Sequence, residues 1–342
     1  MDKIAIASDR DRRELFQETA RQKGLAPLII EKDFWVCWTL KRLFALDDLG
    51  GHLIFKGGTS LSKIYRVIER FSEDIDLSIR RDYLGFAGDT DPEASISRSQ
   101  QKRRVESLRE ACRRATQEIY CPALRQEIGQ ILGPGGWALD IDSGDPNVLL
   151  FAYPGALPST APGLACIRPV VKLEMGAGSD PYPIGSHLIT PYAAEEFPQA
   201  FAEPSCAVTV LEAERTFWEK ATLLHAYYHL PPDRPTPERL SRHYYDLMQL
   251  SQSAIGAQAL ANLPLLERVV AHKSIYFASN WAHFDTATPG TFHILPEPGR
   301  IEDLKRDYAG MREMFFREAP AFEEIMAALQ KLERALNAQD IS

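Results

Sequence analysis

Two short groups of residues in the first quarter of the chain have the types and spacing for nucleotide chemistry. They are Lys56-Gly57-Gly58-Thr59-Ser60 and Asp74-Ile75-Asp76. Adjacent glycines let the backbone approach a ligand closely, and the unpaired N–H groups at the start of a helix favour a bound phosphate. Aspartates two positions apart on a strand project from one face, so their carboxylates can share hard cations such as Mg²⁺. Together the two groups predict nucleotidyl transfer, in which metal ions bridge a triphosphate and activate a hydroxyl.

A strand, a tight turn, a helix and a second strand are predicted to position these residues. Apolar residues 53–55 precede the glycines, and Thr59 and Ser60 favour a helix start. Apolar residues at helical spacing predict that this helix continues to about residue 70. The strand after it alternates apolar residues with the aspartates. The alternative is an ordinary glycine turn beside solvated aspartates, but the order and spacing of both groups favour the nucleotide site.

Residues 55–63, followed by residues 70–77, also resemble the first motif of the AbiEii/AbiGii toxin family. The family consists of nucleotidyltransferase-like toxins of type IV toxin–antitoxin systems, associated with abortive infection and phage defence. The resemblance implies an NTP substrate and Mg²⁺ or Mn²⁺ held by Asp74 and Asp76. It also implies a phosphate-binding role for the residues of the glycine turn, namely Lys56, Gly57, Gly58, Thr59 and Ser60.

Two later segments resemble further motifs of the same family. Glu219-Lys220 matches its Glu-Lys motif, and residues 242–246 match its closing motif, in which an arginine precedes a Tyr-Asp pair. By that resemblance Lys220 is catalytic and binds the triphosphate, Arg242 binds the nucleotide, and Asp246 is catalytic, either as a base or by orienting Lys220. From spacing alone, Lys220 could instead pair with Glu219, and Asp246 with Arg242 one helical turn away.

Glu174 is the candidate third metal ligand. It lies on a strand predicted over residues 166–175, where it shares a face with Lys172. In nucleotidyltransferases generally, a carboxylate on a later strand often completes the metal site. The alternative, a Lys–Glu pair that faces solvent, fits the sequence equally well.

Two other patterns are weaker candidates for metal binding. Asp140-Ile141-Asp142 is a second Asp-x-Asp, but it lacks a preceding glycine turn and helix, so we expect the polar face of a hairpin. His225 and His229 lie one helical turn apart without a suitable third ligand nearby, which favours ordinary packing.

The order of predicted helices and strands along the chain indicates an α/β (α+β) nucleotidyltransferase-type domain with a short mixed sheet over residues 1–210. A mainly helical domain over residues 211–342 would complete the active-site cleft. The charged run Glu31-Lys32-Asp33 is expected on a helix surface. The other predicted elements are helices at 9–23, 27–46, 100–118 and 122–131, a loop at 85–99, a hairpin at 137–153, and strands at 187–194 and 206–210.

Net charge, apolar content and cysteine spacing exclude several classes of protein. The 342 residues carry 45% hydrophobic residues and a net charge of −8, which argues against a general nucleic-acid binder. Local basic surfaces remain open at residues 10–13 and 102–114, the second of which is equally consistent with a solvated helix face. No apolar run could span a membrane, so we expect a cytoplasmic protein without a membrane partner. The five scattered cysteines predict free thiols.

The sequence thus predicts a toxin that transfers an NMP from an NTP to an acceptor hydroxyl. By resemblance the acceptor is a tRNA 3′ end, whose modification would block translation, and the partner is a separately encoded antitoxin. The acidic net charge leaves a protein or small-molecule acceptor as an alternative. A non-catalytic nucleotide-binding protein is a second alternative.

Overall fold

A computed structural model describes residues 1–158 and 168–338. Internal contacts divide the chain into two units. The first unit comprises Met1–Ile64, Phe71–Ala94 and Glu106–Leu211, and the second comprises Tyr65–Arg70, Ser95–Val105 and Glu212–Ser342. The role predicted for residues 211–342 in completing a catalytic cleft stays a prediction.

The strands of the first unit form a seven-stranded mixed sheet with the order β3-β4-β5-β2-β1-β7-β6. The β1–β7 and β2–β5 pairs are parallel, and the other neighbours are antiparallel. The predicted α/β fold with a mixed sheet is therefore confirmed. The strands are β1 (Leu53–Lys56), β2 (Ile75–Ile79), β3 (Ala138–Ile141), β4 (Val148–Ala152), β5 (Val170–Gly176), β6 (Ile184–Ile189) and β7 (Cys206–Leu211).

Helices precede, interrupt and follow these strands, and every helix after β7 in the described chain belongs to the second unit. The α-helices are α1 (Asp2–Ala5), α2 (Asp9–Lys23), α3 (Pro27–Phe44), α4 (Gly57–Lys63), α5 (Arg98–Ala115), α6 (Cys121–Leu132), α7 (Tyr192–Glu196), α8 (Ala213–Tyr228), α9 (Ser241–Ser251), α10 (Ala254–Leu260), α11 (Leu263–Tyr276), α12 (Ile301–Gly310) and α13 (Phe322–Asn337).

The helix after the glycine turn is shorter than predicted: α4 ends at Lys63, whereas the sequence predicts an end near residue 70. Arg66 has a positive φ of 51°, which a continuing α-helix cannot contain. The Tyr65 hydroxyl donates to Glu212, and Arg70 forms a β-bridge with Phe315. These tertiary contacts outweigh the helical spacing of the apolar residues.

Two strand boundaries also differ from the sequence prediction. The strand predicted over residues 187–194 ends at Ile189, because Pro191 is the N-cap of the short helix α7. The strand predicted from residue 166 begins at Val170, and its first two predicted residues lie outside the described chain. The predicted hairpin, the irregular stretch at 85–99 and the helices at 9–23 and 27–46 agree with the structure.

Helix α3 forms the centre of the first unit's core. Trp35 and Trp38 are fully buried and pack against Phe151 of β4. Burial of a large apolar side chain stabilises a fold by about 1.5–3 kcal/mol, so this aromatic group fixes α3 beside the sheet. Glu31, Lys32 and Asp33 of the same helix are also buried, so their expected surface position is wrong.

The predictions about cysteines and membrane segments concern the whole chain. Cys37, Cys112, Cys121 and Cys206 are free thiols, and Cys166 lies outside the described residues. Within residues 1–158 and 168–338, each helix is too short or too polar to cross a bilayer.

Candidate active site

The glycine turn and the Asp-x-Asp strand are in direct contact. Gly57 has a φ of +79°, and a Cβ added to it would lie 1.9 Å from Asp76 Oδ2. A side chain at position 57 would therefore displace the Asp76 carboxylate and would also be strained in its backbone. This contact explains why the turn requires glycine.

Asp76 lies in a row of charged residues across three neighbouring strands. It is in register with Lys56 on β1 and with Glu174 on β5. Residues directly opposite each other on paired strands project from the same face. Asp74 comes immediately before β2 and is partly exposed, as Asp76 is.

Lys172 is the cation nearest this row on β5, and it forms an ion pair with Glu174 in which both side chains are about two-fifths exposed. Burial lowers the pKa of Lys172, but attraction to Glu174, and then to Asp74 and Asp76, outweighs burial and raises it. The lysine therefore lies in the field of all three carboxylates. The structure brings Glu174 to the correct face, and its role as a metal ligand stays a prediction.

Thr59 and Ser60 use their hydroxyls within the protein. The Thr59 hydroxyl donates to the backbone carbonyl of Asp74 at 2.6 Å, which ties α4 to the start of β2. The Ser60 hydroxyl donates to the carbonyl of Gly57 at 2.8 Å. Both residues are buried, so their hydroxyls stabilise the turn from inside the protein. No side chain caps the N-terminus of α4.

Buried charges on α3 hold both halves of the motif. Lys63, at the end of α4, lies 2.6 Å from Asp33 Oδ1, and both side chains are almost fully buried. Lys32 lies 3.0 Å from Glu73, the residue before Asp74. Because α3 fixes both ends of the motif through ion pairs, it positions Gly57 against Asp76.

The donors beside the glycine turn suit a hard cation, because Asp74 and Asp76 are partly exposed residues that carry carboxylate oxygens. Over residues 1–158 and 168–338, no group of three or more His, Cys, Asp or Glu side chains is arranged to hold a metal ion. In the second Asp-x-Asp, Asp140 is exposed on the hairpin, and Asp142 accepts hydrogen bonds from the backbone of the following turn. This arrangement agrees with the polar hairpin face expected there.

A second cluster of predicted site residues lies in the second unit, around the buried carboxylate of Asp246. Arg70 donates two hydrogen bonds to it, from Nε and from one terminal nitrogen, each 2.7 Å long. Lys220 Nζ lies 2.9 Å from Asp246 Oδ2. Glu219, the alternative partner of Lys220, instead accepts from Arg215 at 3.2 Å.

Excess positive charge determines the protonation of this cluster. Burial raises the pKa of Asp246, but attraction to Arg70 and Lys220 outweighs it and holds the pKa below its ordinary value. Burial lowers the pKa of Lys220, and repulsion by Arg70 and Arg242 lowers it further. Attraction to Asp246 raises this pKa but does not outweigh those effects, so the pKa of Lys220 is below its ordinary value. Asp246 is thus an ionised acceptor that is already engaged by two cations.

Several residues that hold these two clusters were not assigned a role from the sequence. Arg70 stands inside the recognised motif, but nothing in its spacing indicates a partner at Asp246, 176 residues later. The buried Asp33–Lys63 pair likewise has no sequence signal beyond two charged residues near apolar ones. His225 is fully buried and accepts a hydrogen bond from the backbone of His293, which agrees with packing.

The mixed sheet, the glycine turn against Asp76 and the helical second unit agree with the nucleotidyltransferase-type fold expected from the sequence. Residues 38–331 match the family described as "Nucleotidyl transferase AbiEii toxin, Type IV TA system", so the chain belongs to this family of nucleotidyltransferase toxins. Among solved structures, the chain is similar to MenT4, nucleotidyltransferase toxin Rv2826c from Mycobacterium tuberculosis H37Rv. That match has 18% sequence identity and a TM-score of 0.48, and it covers 95% of this chain and 90% of that chain. Comparison with curated protein sequences finds no match.

Proposed function

We propose that this toxin transfers an NMP from an NTP to an acceptor hydroxyl. The observation that carries the proposal is the close approach of Gly57 to the Asp76 carboxylate, which places the proposed phosphate-binding turn against the proposed metal-binding strand. In the reaction, the acceptor oxygen forms a bond to the α-phosphorus, and the bond from that phosphorus to the bridging oxygen breaks. Pyrophosphate leaves, and the proton of the acceptor hydroxyl passes to solvent water.

Asp74 and Asp76 would hold Mg²⁺ or Mn²⁺, and Glu174 is the proposed additional ligand. When bound, the metal neutralises the triphosphate and lowers the pKa of the attacking hydroxyl. The two aspartates supply the hard oxygen ligands that such ions prefer. Lys172 competes with a metal for Glu174, because the two side chains form an ion pair.

The turn residues bind phosphate mainly through the backbone in this proposal. Gly57 and Gly58 allow the close approach, and the orphan N–H groups of the first turn of α4, up to that of Thr59, are proposed to meet the phosphate. The hydroxyls of Thr59 and Ser60 donate within the protein. Lys56 adds a positive charge from the neighbouring position on β1.

Lys220 and Arg242 are proposed to neutralise the triphosphate. Lys220 would do so with its compact ammonium charge, and Arg242 with its planar guanidinium group. Asp246 orients Lys220 and does not serve as the base. A general base must accept a proton near the working pH, whereas Arg70 and Lys220 already occupy this carboxylate and lower its pKa.

The proposed acceptor is a tRNA 3′ end, with a separately encoded antitoxin as the partner that restrains the toxin. The antitoxin is supported by membership of a type IV toxin–antitoxin family, and the tRNA acceptor is proposed from resemblance to that family. Exposed cations of α5 offer a local surface for RNA phosphates, although Glu106 and Glu110 lie among them. The net charge of −8 favours the alternative acceptor, a protein or small molecule.

Labelled NTPs test the chemistry. Wild-type protein is expected to transfer label from an [α-³²P]NTP, and Asp76→Asn is expected to lower the rate by at least about 10³-fold, because it removes a charged metal ligand. Asp140→Asn is the control, since it makes the same change at an exposed aspartate of the second Asp-x-Asp, on the hairpin. Equal rates for both variants would contradict the proposed site, and no transfer by wild type with any NTP would favour the non-catalytic alternative.

The acceptor is tested by offering tRNA, total protein and a metabolite extract separately to the wild-type enzyme. Label on the tRNA 3′ end, lost when the terminal nucleotide is removed, supports the proposal. Label confined to the protein or metabolite pool would establish the alternative acceptor instead.

A further inference from the structure

His243 is a neighbour of Lys220 to which the sequence assigned no role. It lies on α9, three residues before Asp246, so both side chains project from one side of that helix. His243 Nδ1 is 3.2 Å from Lys220 Nζ, and Asp246 Oδ2 is 2.9 Å from the same nitrogen. The ammonium group is thus held by two acceptors one helical turn apart.

The chemistry of the lysine ammonium and the imidazole determines which of Lys220 Nζ and His243 Nδ1 donates the hydrogen bond. A lysine ammonium has three donors and no acceptor, so Nδ1 must accept and the imidazole proton must lie on Nε2. Burial, followed by repulsion from Lys220 and Arg242, holds the pKa of His243 well below its ordinary value. Its ring is therefore neutral where the lysine is charged, and it adds an acceptor without adding a negative charge.

We infer that His243 is a positioning residue for Lys220. Its Nδ1 and the Asp246 carboxylate occupy two of the three ammonium N–H groups, and the third is directed to a triphosphate oxygen. This inference rests on the proposed function, in which Lys220 binds the NTP. A carboxylate at position 243 would cancel the charge that attracts the triphosphate, whereas a neutral imidazole fixes the ammonium and leaves the charge in place.

The charged groups that face Lys220 come from two elements besides its own helix. Asp246 and Arg242 belong to α9, and Arg70 belongs to the segment Tyr65–Arg70. Among the described residues that act most strongly on Lys220, one carboxylate faces two further cations, so the surroundings favour an anion. The hydrogen bond to His243 favours the charged form of Lys220 and opposes the effect of those neighbours.

Inorganic triphosphate with Mg²⁺ is the probe for this inference, because it reports on phosphate binding without a base or a reaction. His243→Leu removes the acceptor at similar size, and we expect its Kd to rise about 10- to 100-fold, the range for loss of a hydrogen bond to a charged group. His243→Asn places an amide oxygen near the position of Nδ1 and should stay within about threefold of wild type. His243→Gln extends its amide beyond that position and should resemble the leucine variant.

The pH dependence of the same titration separates positioning from simple packing. Lys220 binds triphosphate when protonated, so the affinity falls as the pH rises through its pKa. In His243→Leu this alkaline fall should move to lower pH, because the charged lysine has lost an acceptor, whereas His243→Asn should keep the wild-type position. In a Lys220→Met background, His243→Leu should have no further effect. Thermal melting of each variant serves as the folding control.

Two results would overturn the inference. One is a leucine variant that folds, binds triphosphate as wild type does and keeps the same alkaline fall. The other is equal weakening in the leucine and asparagine variants with unchanged pH dependence, which would indicate packing only. The triphosphate titration decides the role of His243, whereas the transfer of NMP label decides the proposed function, so failure of one is distinguishable from failure of the other.

Discussion

Two buried lysines in this protein have opposite electrostatic surroundings. In the first unit, Lys63 pairs with Asp33 at 2.6 Å, and its ammonium lies 3.4 Å from the centre of the Tyr192 ring. In the second unit, Lys220 shares Asp246 with the guanidinium of Arg70. The first carboxylate balances one cation, whereas the second faces an excess of cations.

The pKa values of the two lysines reflect this difference. Burial lowers the pKa of Lys63, but attraction to Asp33 outweighs burial and raises it. The pKa of Lys220 is lowered, because burial and repulsion by Arg70 outweigh Asp246. A charge-balanced pair is complete within the protein, whereas an uncompensated cation is suited to bind an anion. The comparison therefore favours a structural role for Lys63 and supports the proposed ligand-binding role of Lys220.

The largest expected effect comes from removing the balanced lysine. Lys63→Met leaves the Asp33 carboxylate buried without its cation, which should cost about 3–5 kcal/mol of unfolding free energy. Chemical denaturation at pH 7 measures this loss. Asp33→Asn combined with Lys63→Met should recover part of it, because the double variant has no unpaired charge.

Lys305→Met is the control for this experiment, because Lys305 pairs with Glu323 on the exposed surface. We expect its denaturation midpoint to match wild type. If Lys63→Met also left the midpoint unchanged, the Asp33–Lys63 pair would not contribute to stability, and the contrast between the two lysines would fail.

Lys220→Met should show the reverse pattern. We expect NMP transfer to fall about 10²- to 10³-fold, as when one donor to transition-state charge is removed. The melting temperature should be unchanged or higher, because Asp246 keeps its two hydrogen bonds from Arg70 and one excess cation is gone. Steady-state transfer assays and thermal melting of the same preparation give both values.

A stability loss in Lys220→Met as large as that in Lys63→Met, with transfer retained by the folded protein, would make Lys220 a structural residue. The comparison would then have no functional meaning. A loss of NMP transfer with an unchanged melting temperature would instead support the contrast between a structural Lys63 and a ligand-binding Lys220.

Local patterns in the sequence were sufficient to predict most of the elements and to identify the glycine turn and the strand with Asp76, which the structure brings into contact. The glycine turn, the alternating strand with Asp76 and the amphipathic helices each depend on residues close together in the chain. The end of α4 was missed, because contacts of Tyr65 and Arg70 with residues much later in the chain override helical spacing. No local pattern indicates which carboxylate each buried lysine will meet.

The same limit applies to the second half of the site. Resemblance to the family identified Lys220 and Asp246, and spacing alone would have paired Asp246 with Arg242 on its own helix. The structure adds Arg70, whose bidentate hydrogen bonds explain why Asp246 is ionised and unsuited to act as a base. Such a partner becomes evident only when the chain is folded.

The smallest expected effect concerns the pH dependence of Asp246→Asn. The pKa of Asp246 is below its ordinary value in the folded protein, so its ionised form contributes stability above pH of about 4, and that contribution is lost as the pH falls through the folded pKa. The difference in unfolding free energy between wild type and Asp246→Asn should therefore be constant from pH 7 to 5 and shrink below pH 4. Its slope cannot exceed about 1.4 kcal/mol per pH unit for one proton.

Denaturation at pH 7, 5, 4 and 3 measures this difference in unfolding free energy. Asp82→Asn is the control, because the Asp82–Arg80 pair is exposed and its contribution should be weaker. A difference that does not change with pH would mean that Asp246 is not the ionised partner of two cations, and the excess positive charge around Lys220 would need another explanation.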